Sequence, residues 1–279
     1  MLKKRKKKKE RKKRKKKRKK VSKKTITSHK IQQHALARSS QAMCTILPLE
    51  VEKEPIGKGA SGQVFRAIVR LPELPNGSMF VALKKVIDKK FNDNQEREKA
   101  QAEMAHEVDL MIALPPHPNV IQLLGVVMGE EMGVITEFAA RGSLDAFMYK
   151  QKHRFPPLVQ RRLALDIAKG VAFLHQHNIV HRDLASRNIL LDERESDGAL
   201  FAKISDFGMS RVLGEDQFNH TYQELGPIKW MATEQLRPKV KGKQTFSRET
   251  DSFSFAMTLV ELVTGGLCLQ FLHFLQFEV

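Results

Sequence analysis

Asp183 and Asn188 lie five positions apart in the stretch His181-Arg182-Asp183-Leu184-Ala185-Ser186-Arg187-Asn188. Together they bring a carboxylate and an amide oxygen into one short loop. Moving a phosphoryl group onto a hydroxyl needs a carboxylate beside the acceptor and hard oxygen ligands for a metal ion. Asp206-Phe207-Gly208, behind the apolar run Phe201–Ser205, supplies a second acidic ligand. Magnesium takes a few protein oxygens and completes its shell with phosphate oxygens, which suits an Asp and Asn pair. No His/Cys spacing in the sequence suggests zinc.

Two upstream features fit the same chemistry. Gly57-Lys58-Gly59-Ala60-Ser61-Gly62-Gln63-Val64 has the form G-x-G-x-x-G-x-V and lies between β-type runs. Glycines let backbone N–H groups come close to phosphate oxygens. A dinucleotide-binding fold needs such a loop to open a helix; here it leads into a strand, which argues against a dehydrogenase. Val81-Ala82-Leu83-Lys84 puts a lysine on the following strand, and Glu107 falls on a downstream helical pattern from which it can pair with Lys84. A lysine held that way meets the α- and β-phosphates as a point charge.

The elements that must position these groups are legible in outline. VFRAIVR (64–70) and MFVALKKV (79–86) read as strands around a turn at Pro75-Asn76-Gly77. After a charged stretch (88–101), Met104, Val108 and Met111 mark an amphipathic helix that stops at Pro115-Pro116. The apolar runs 120–128 and 132–138 complete an expected five-stranded sheet. Leu163, Ile167, Val171 and Leu174 predict a long helix ending near His177, and Phe255, Leu259 and Leu262 predict a later one. The fold class is α+β, a β-rich first lobe followed by a mainly helical second lobe.

Charge is partitioned along the chain. Residues 1–30 carry 20 of the 49 Lys and Arg and a single acid, Glu10, although the whole chain of 279 residues is +18. That segment is expected to be a disordered tail. Its functional reading is a nuclear address, or adhesion to nucleic acid or acidic lipid by counterion release. Cys44 and Cys268 have no metal-ligand spacing, and no apolar secretory stretch opens the chain. An intracellular setting, cytoplasm or nucleus, is the expectation. The uncharged stretch 262–277 is shorter than a spanning helix requires, so no transmembrane segment is expected.

In this order and context the motifs resemble the eukaryotic protein kinase family, tyrosine-kinase and tyrosine-kinase-like branch, over roughly residues 51–266. The resemblance implies a bilobal fold, ATP and Mg2+ as cofactors, and a protein substrate. It makes Gly57, Gly59 and Gly62, with Lys58, Ala60, Ser61 and Gln63, the phosphate cover, and sets Ile56 and Val64 against adenine. Ala82 and Leu190 sandwich the base, Thr136 is the gatekeeper, and Glu137 to Ala139 form the hinge. Lys84 holds the α/β-phosphates, Glu107 orients it, Asp183 is the catalytic base, and Asn188 and Asp206 hold magnesium. Met111, Leu123, His181 and Phe207 match the family's hydrophobic column. Thr221 and Tyr222 become phosphorylation sites whose phosphate Arg182 and Arg211 would hold.

The acceptor reading favours tyrosine. Ala185 stands where Ser/Thr kinases usually have lysine, Arg187 resembles the tyrosine-kinase loop, and Pro227-Ile228-Lys229-Trp230 resembles the tyrosine-type acceptor segment. Both features also occur in tyrosine-kinase-like enzymes that phosphorylate Ser or Thr. The pattern departs from the family at Ala232-Thr233-Glu234, at Phe253 and Ala256, and after Gly266. The layout expected is a tail (1–30), a linker (31–50), a kinase domain (51–266; lobes about 51–138 and 139–266) lacking its last helices, and a divergent apolar tail (267–279). With no basic residue other than His273 after Arg248, Glu234 is expected to be a buried carboxylate without its family partner. A non-catalytic ATP-binding scaffold is the alternative reading.

Overall fold

The structure is a computed structural model. It describes residues 31–32, 44–45 and 49–265, apart from 60–61, 71, 73, 75, 86–93, 128–132, 151–153, 195, 213–227 and 237–245. The expectations for the tail 1–30, Pro75, Ala60, Ser61, Thr221, Tyr222 and 267–279 lie outside the described residues. The chain divides into two compact units, residues 1–101 with 124–138 and residues 102–123 with 139–279.

The first unit is built on one sheet. Its strands are β1 (Ile31–Gln32), β2 (Cys44–Thr45), β3 (Leu49–Gly59), β4 (Gly62–Arg70), β5 (Ser78–Lys85), β6 (Leu123–Val127) and β7 (Gly133–Glu137), in the order β2-β1-β6-β7-β5-β4-β3. The sheet has seven strands where five were expected. The additional pair lies in the stretch read as linker, where Ile31 pairs with Val127 and closes an edge of the sheet. Alternation sets the two faces. Ala67, Val69, Val81, Leu83, Val127 and Ile135 form the buried cluster, with Leu49, Val51, Met79 and Leu124 packed on it. The residues between them turn to the opposite face.

Residues 94–101 of the charged stretch predicted to precede a helix prove to be its first turns: α1 runs Asn94–Ala113, and in the second unit its Met104, Val108 and Met111 are buried. The helix α2 (Pro157–Gln176) buries Leu163, Ile167, Val171 and Leu174 as the periodicity predicts, starts on a proline in its first turn and ends at His177. Gly170 lets it approach closely: a Cβ there would lie 2.6 Å from the Asn119 carbonyl oxygen and 2.8 Å from Ile204 Cδ1. Small strands follow, namely β8 (Gly142–Ser143), β9 (Ile179–Val180), β10 (Ile189–Glu193), β11 (Leu200–Ile204) and β12 (Arg211–Val212). β10 sits between β11 and β8, and β12 pairs with β9.

After the short α3 (Thr233–Leu236) comes α4 (Arg248–Thr264), closed at its start by a Ser247/Thr250 capping box and at its end by Gly265 at φ 65°. The helix expected from Phe255, Leu259 and Leu262 is present. The buried stripe of α4 is Thr250, Asp251, Ser254, Thr258, Glu261 and Leu262, whereas Phe255 and Leu259 are only partly covered. Within that stripe Asp251, Ser254 and Glu261 bond to neighbouring loops, while Thr250 and Thr258 donate to the Ser247 and Ser254 carbonyls. Glu234 also differs from expectation: it is exposed on α3, so water, not a buried partner, meets its charge.

Candidate active site

In the first unit the candidate residues are arranged by register. Gly57 pairs with Val64, Val64 with Lys84, and Ala82 with Thr136 across neighbouring strands. Directly opposed residues share a face, so Gly57, Val64, Ala82, Lys84 and Thr136 line the side of the sheet opposite the buried cluster. Val81 pairs with Glu137, and Thr136 donates its hydroxyl to the Glu137 carbonyl at 3.2 Å. Gly59 and Gly62 oppose one another where β3 turns into β4, with Gly62 at φ 142°, a backbone conformation that needs glycine. Lys58 pairs with Gln63 on the same hairpin; Ile56 on β3 is exposed.

The second unit builds the catalytic loop. Asn188 donates its amide nitrogen twice to Asp183, at 2.7 Å to the carbonyl and 2.8 Å to Oδ2. With both hydrogens used, what Asn188 still offers a ligand is its carbonyl oxygen. Arg187 forms an ion pair with Asp183 Oδ1, and the Asp183 N–H donates to His181 Nδ1 at 3.3 Å. Ser205 ties this loop to β11 by donating both N–H and hydroxyl to the Asn188 carbonyl, at 2.9 and 3.0 Å. The next residue, Asp206, sits at φ 65°, a left-handed position that Asp tolerates better than most side chains. Its Oδ1 accepts the Gly208 N–H at 3.4 Å.

Beneath the loop lies a residue to which the sequence reading gave no role. The carboxylate of Asp251, 1% exposed in the first turn of α4, accepts the His181 N–H at 2.7 Å and the Arg182 N–H at 2.9 Å. It also meets His175 Nε2 at 3.0 Å. Two adjacent backbone donors on one buried carboxylate fix the loop's entry, and they do so with Arg182 at φ 70°. The sequence signal was its place in Thr250–Ala256, a segment that departs from the family pattern at Phe253 and Ala256 but retains the aspartate. The rings of His181 and Phe207, both fully buried, lie 5.6 Å apart, so the lower part of the expected column is in contact; Met111 and Leu123 are buried as well.

Arg182 and Arg211 are close enough to perturb each other. Burial first, then the Arg211 charge, pulls the Arg182 guanidinium down to about 10, while Asp251 opposes the shift. The Arg182 guanidinium stacks 4.3 Å from the Phe246 ring centroid, and its buried Nε has no hydrogen-bond partner among the described residues. Arg211 donates to the Ser210 carbonyl at 2.7 Å. In the first unit Lys84 is half-buried; in the second Glu107 on α1 and Ala139 are buried and Leu190 on β10 is half-buried.

A family model described as "Protein tyrosine and serine/threonine kinase" matches residues 49–270. The chain belongs to the protein kinase family. Among curated relatives, the serine/threonine-protein kinase STY17 of Arabidopsis thaliana is 34% identical over 232 residues, covering 83% of this chain and 36% of that protein. The tyrosine-protein kinase ZAP-70 of Mus musculus is 32% identical, covering 76% of this chain and 31% of its own length. The ephrin type-A receptor 1 of Homo sapiens is 33% identical, with 76% and 20% covered. The chain thus spans about a third or less of each of these three relatives, and they include both acceptor specificities. Kinase domains of this family generally use ATP with Mg2+. The donor set fits that ion: Asn188 offers an amide oxygen and Asp206 a carboxylate, both hard oxygen ligands. No described helix is long and apolar enough to cross a membrane.

Proposed function

We propose that this chain is an ATP-dependent protein kinase that favours tyrosine as acceptor. Magnesium bound by the Asn188 amide oxygen and the Asp206 carboxylate would neutralise charge on the nucleotide phosphates. The Gly57–Val64 hairpin would offer backbone N–H groups to the phosphates, and Ile56, Val64 and Ala82 in the first unit and Leu190 in the second are the residues assigned to the base. Thr136 guards the depth of that pocket, and Glu137 to Ala139 read the adenine edge. Lys84 holds the α/β-phosphates and Glu107 orients it. Asp183 accepts the acceptor hydroxyl's proton as the phosphoryl group moves, and Arg187 keeps that carboxylate aimed. Thr221 and Tyr222 are the phosphorylation sites, with Arg182 and Arg211 as the cations that receive the phosphate.

The observation that carries the tyrosine reading is the double use of Arg187. Its guanidinium is paired with Asp183 while it lies 5.5 Å from the Trp230 ring centroid, and Ala185 beside it is buried. A flat guanidinium–indole wall beside the base favours a planar phenol over a short hydroxyl side chain. Serine or threonine specificity is the second reading, favoured by relatives such as STY17 that bear that name. Autophosphorylation with γ-labelled ATP followed by phosphoamino acid analysis decides between them. Phosphotyrosine is expected, and phosphoserine or phosphothreonine alone rejects the preference. For the tail, 20 basic residues against one acid support anionic partners and a cytoplasmic or nuclear setting. Removing residues 1–30 should abolish salt-sensitive retention on heparin and on phosphatidylserine vesicles.

A further inference from the structure

Glu261 is a carboxylate in the last turn of α4, 1% exposed, with no ligand role in the proposed function. Two donors reach it. The Trp230 indole N–H donates to Oε2 at 2.8 Å, and the Tyr149 hydroxyl donates to Oε1 at 2.8 Å. Tyr149 comes from the π-helical turn Ala146–Lys150, and Trp230 ends the short 3-10 turn Ile228–Trp230. Trp230 is held at its backbone too, since Ser254 on α4 donates its hydroxyl to the Trp230 carbonyl at 2.6 Å. A cavity of about 220 Å³ opens beside this cluster, lined by Tyr149, Arg187, Lys229, Trp230 and Glu261 among others.

A buried charge is costly, and an apolar residue of similar size usually packs there at lower free energy. Glu261 therefore needs a reason beyond stability, and the contacts supply one. An indole whose N–H is bonded to an anion is more electron-rich on its face. That face meets the Arg187 guanidinium, and Arg187 in turn pairs with Asp183. The connection runs from α4 through Trp230 and Arg187 to the base. Burial, then the bond to Glu261 and the charges of Glu261 and Asp145, push the Tyr149 phenol above its ordinary range, so at neutral pH it stays a donor.

We infer that Glu261 is a positioning residue for phosphoryl transfer, acting through Trp230 on the Arg187–Asp183 pair, with Tyr149 holding the other carboxylate oxygen. The inference rests on the proposed role of Asp183 and adds Glu261 and Tyr149 as residues that act through Trp230 and Arg187.

The test uses the full chain with E261Q, R187A, the double variant and Y149F, assayed on a glutamate–tyrosine copolymer. The amide side chain in E261Q has one acceptor oxygen for two donors and carries no charge, so the indole N–H loses its anionic partner. kcat should fall about 10-fold in E261Q, in line with the cost of a sub-ångström misplacement, with the KM for ATP unchanged within twofold. In the R187A background E261Q should produce no further loss. Equal losses in both backgrounds would mark Glu261 as structural and overturn the inference. Trp230 is the single tryptophan of the chain, so acrylamide quenching of its fluorescence reads the same network without activity. Quenching should rise in E261Q and, less, in Y149F; unchanged quenching in both also overturns the inference. If D183N still transfers phosphate, the proposed base is wrong, and the quenching comparison still decides the Glu261–Trp230 link.

Discussion

The proposed site residues of the two units are held in place by different physics. In the β3-β4-β5-β7 sheet, the residues proposed to meet nucleotide are placed by backbone register: Val64, Lys84, Ala82 and Thr136 share a face because strands alternate. In the second unit the proposed base and metal ligands are placed by side chains. Asp251 grips the His181 and Arg182 N–H groups, Asn188 bonds twice to Asp183, and Glu261 bonds to Trp230. A register tolerates changes of side chain on its open face. A loop hung on a few buried carboxylates does not.

That contrast can be broken at its strongest point. Asp251→Ala leaves the His181 and Arg182 N–H groups unpaired at a cost of ~1–3 kcal/mol each, so a destabilisation of about 2–6 kcal/mol is expected in urea unfolding. A loss below about 1 kcal/mol would show that the loop does not depend on α4. Gly170→Ala comes next, at about 1–3 kcal/mol, because its methyl must displace the Asn119 carbonyl and Ile204. On the sheet, Ala82→Leu should weaken Mg·ATP binding about 10-fold by filling the nucleotide face, an effect of ~1.4 kcal/mol. It should shift thermal stability much less than Asp251→Ala does. Equal losses of stability would erase the distinction between register and anchor.

The smallest effect is spectroscopic. The raised phenol pKa of Tyr149 means that the folded state keeps its proton where an unfolded chain, with tyrosine near 10, would release it. Its contribution to stability is complete below pH ~10 and fades as pH rises above that value. Of the two tyrosines in the chain, one should ionise late in an absorbance titration near 295 nm, and Y149F should remove that late step.

The same contrast explains what the sequence disclosed. A period of two residues and a glycine-rich hairpin made the strands of the sheet readable, down to Lys84 on the strand that follows the hairpin. The helix α2 was equally clear, because its buried residues are apolar at helical spacing. The start of α1 at Asn94 was hidden by a charged stretch that carries no apolar period. On α4 the pattern pointed to Phe255 and Leu259, whereas burial follows Thr250, Ser254, Thr258 and Glu261. Asp251, Ser254 and Glu261 have partners distant in sequence, the N–H groups of His181 and Arg182 and the carbonyl and indole of Trp230, while Thr250 and Thr258 bond locally. Motif spacing named Asp183 and Asn188 but could not show what holds them. Glu234 misled for the opposite reason: its family pattern implied burial, and the helix turns it to solvent.

Single-turnover transfer from γ-labelled Mg·ATP, run on the parent chain and on D183N with nucleotide affinity measured in the same samples, tests the assignment most directly. D183N is expected to bind Mg·ATP within a few-fold of the parent and to transfer phosphate at least about 100-fold more slowly, the lower bound for losing a general base. Transfer by D183N at the parent's rate would contradict the account.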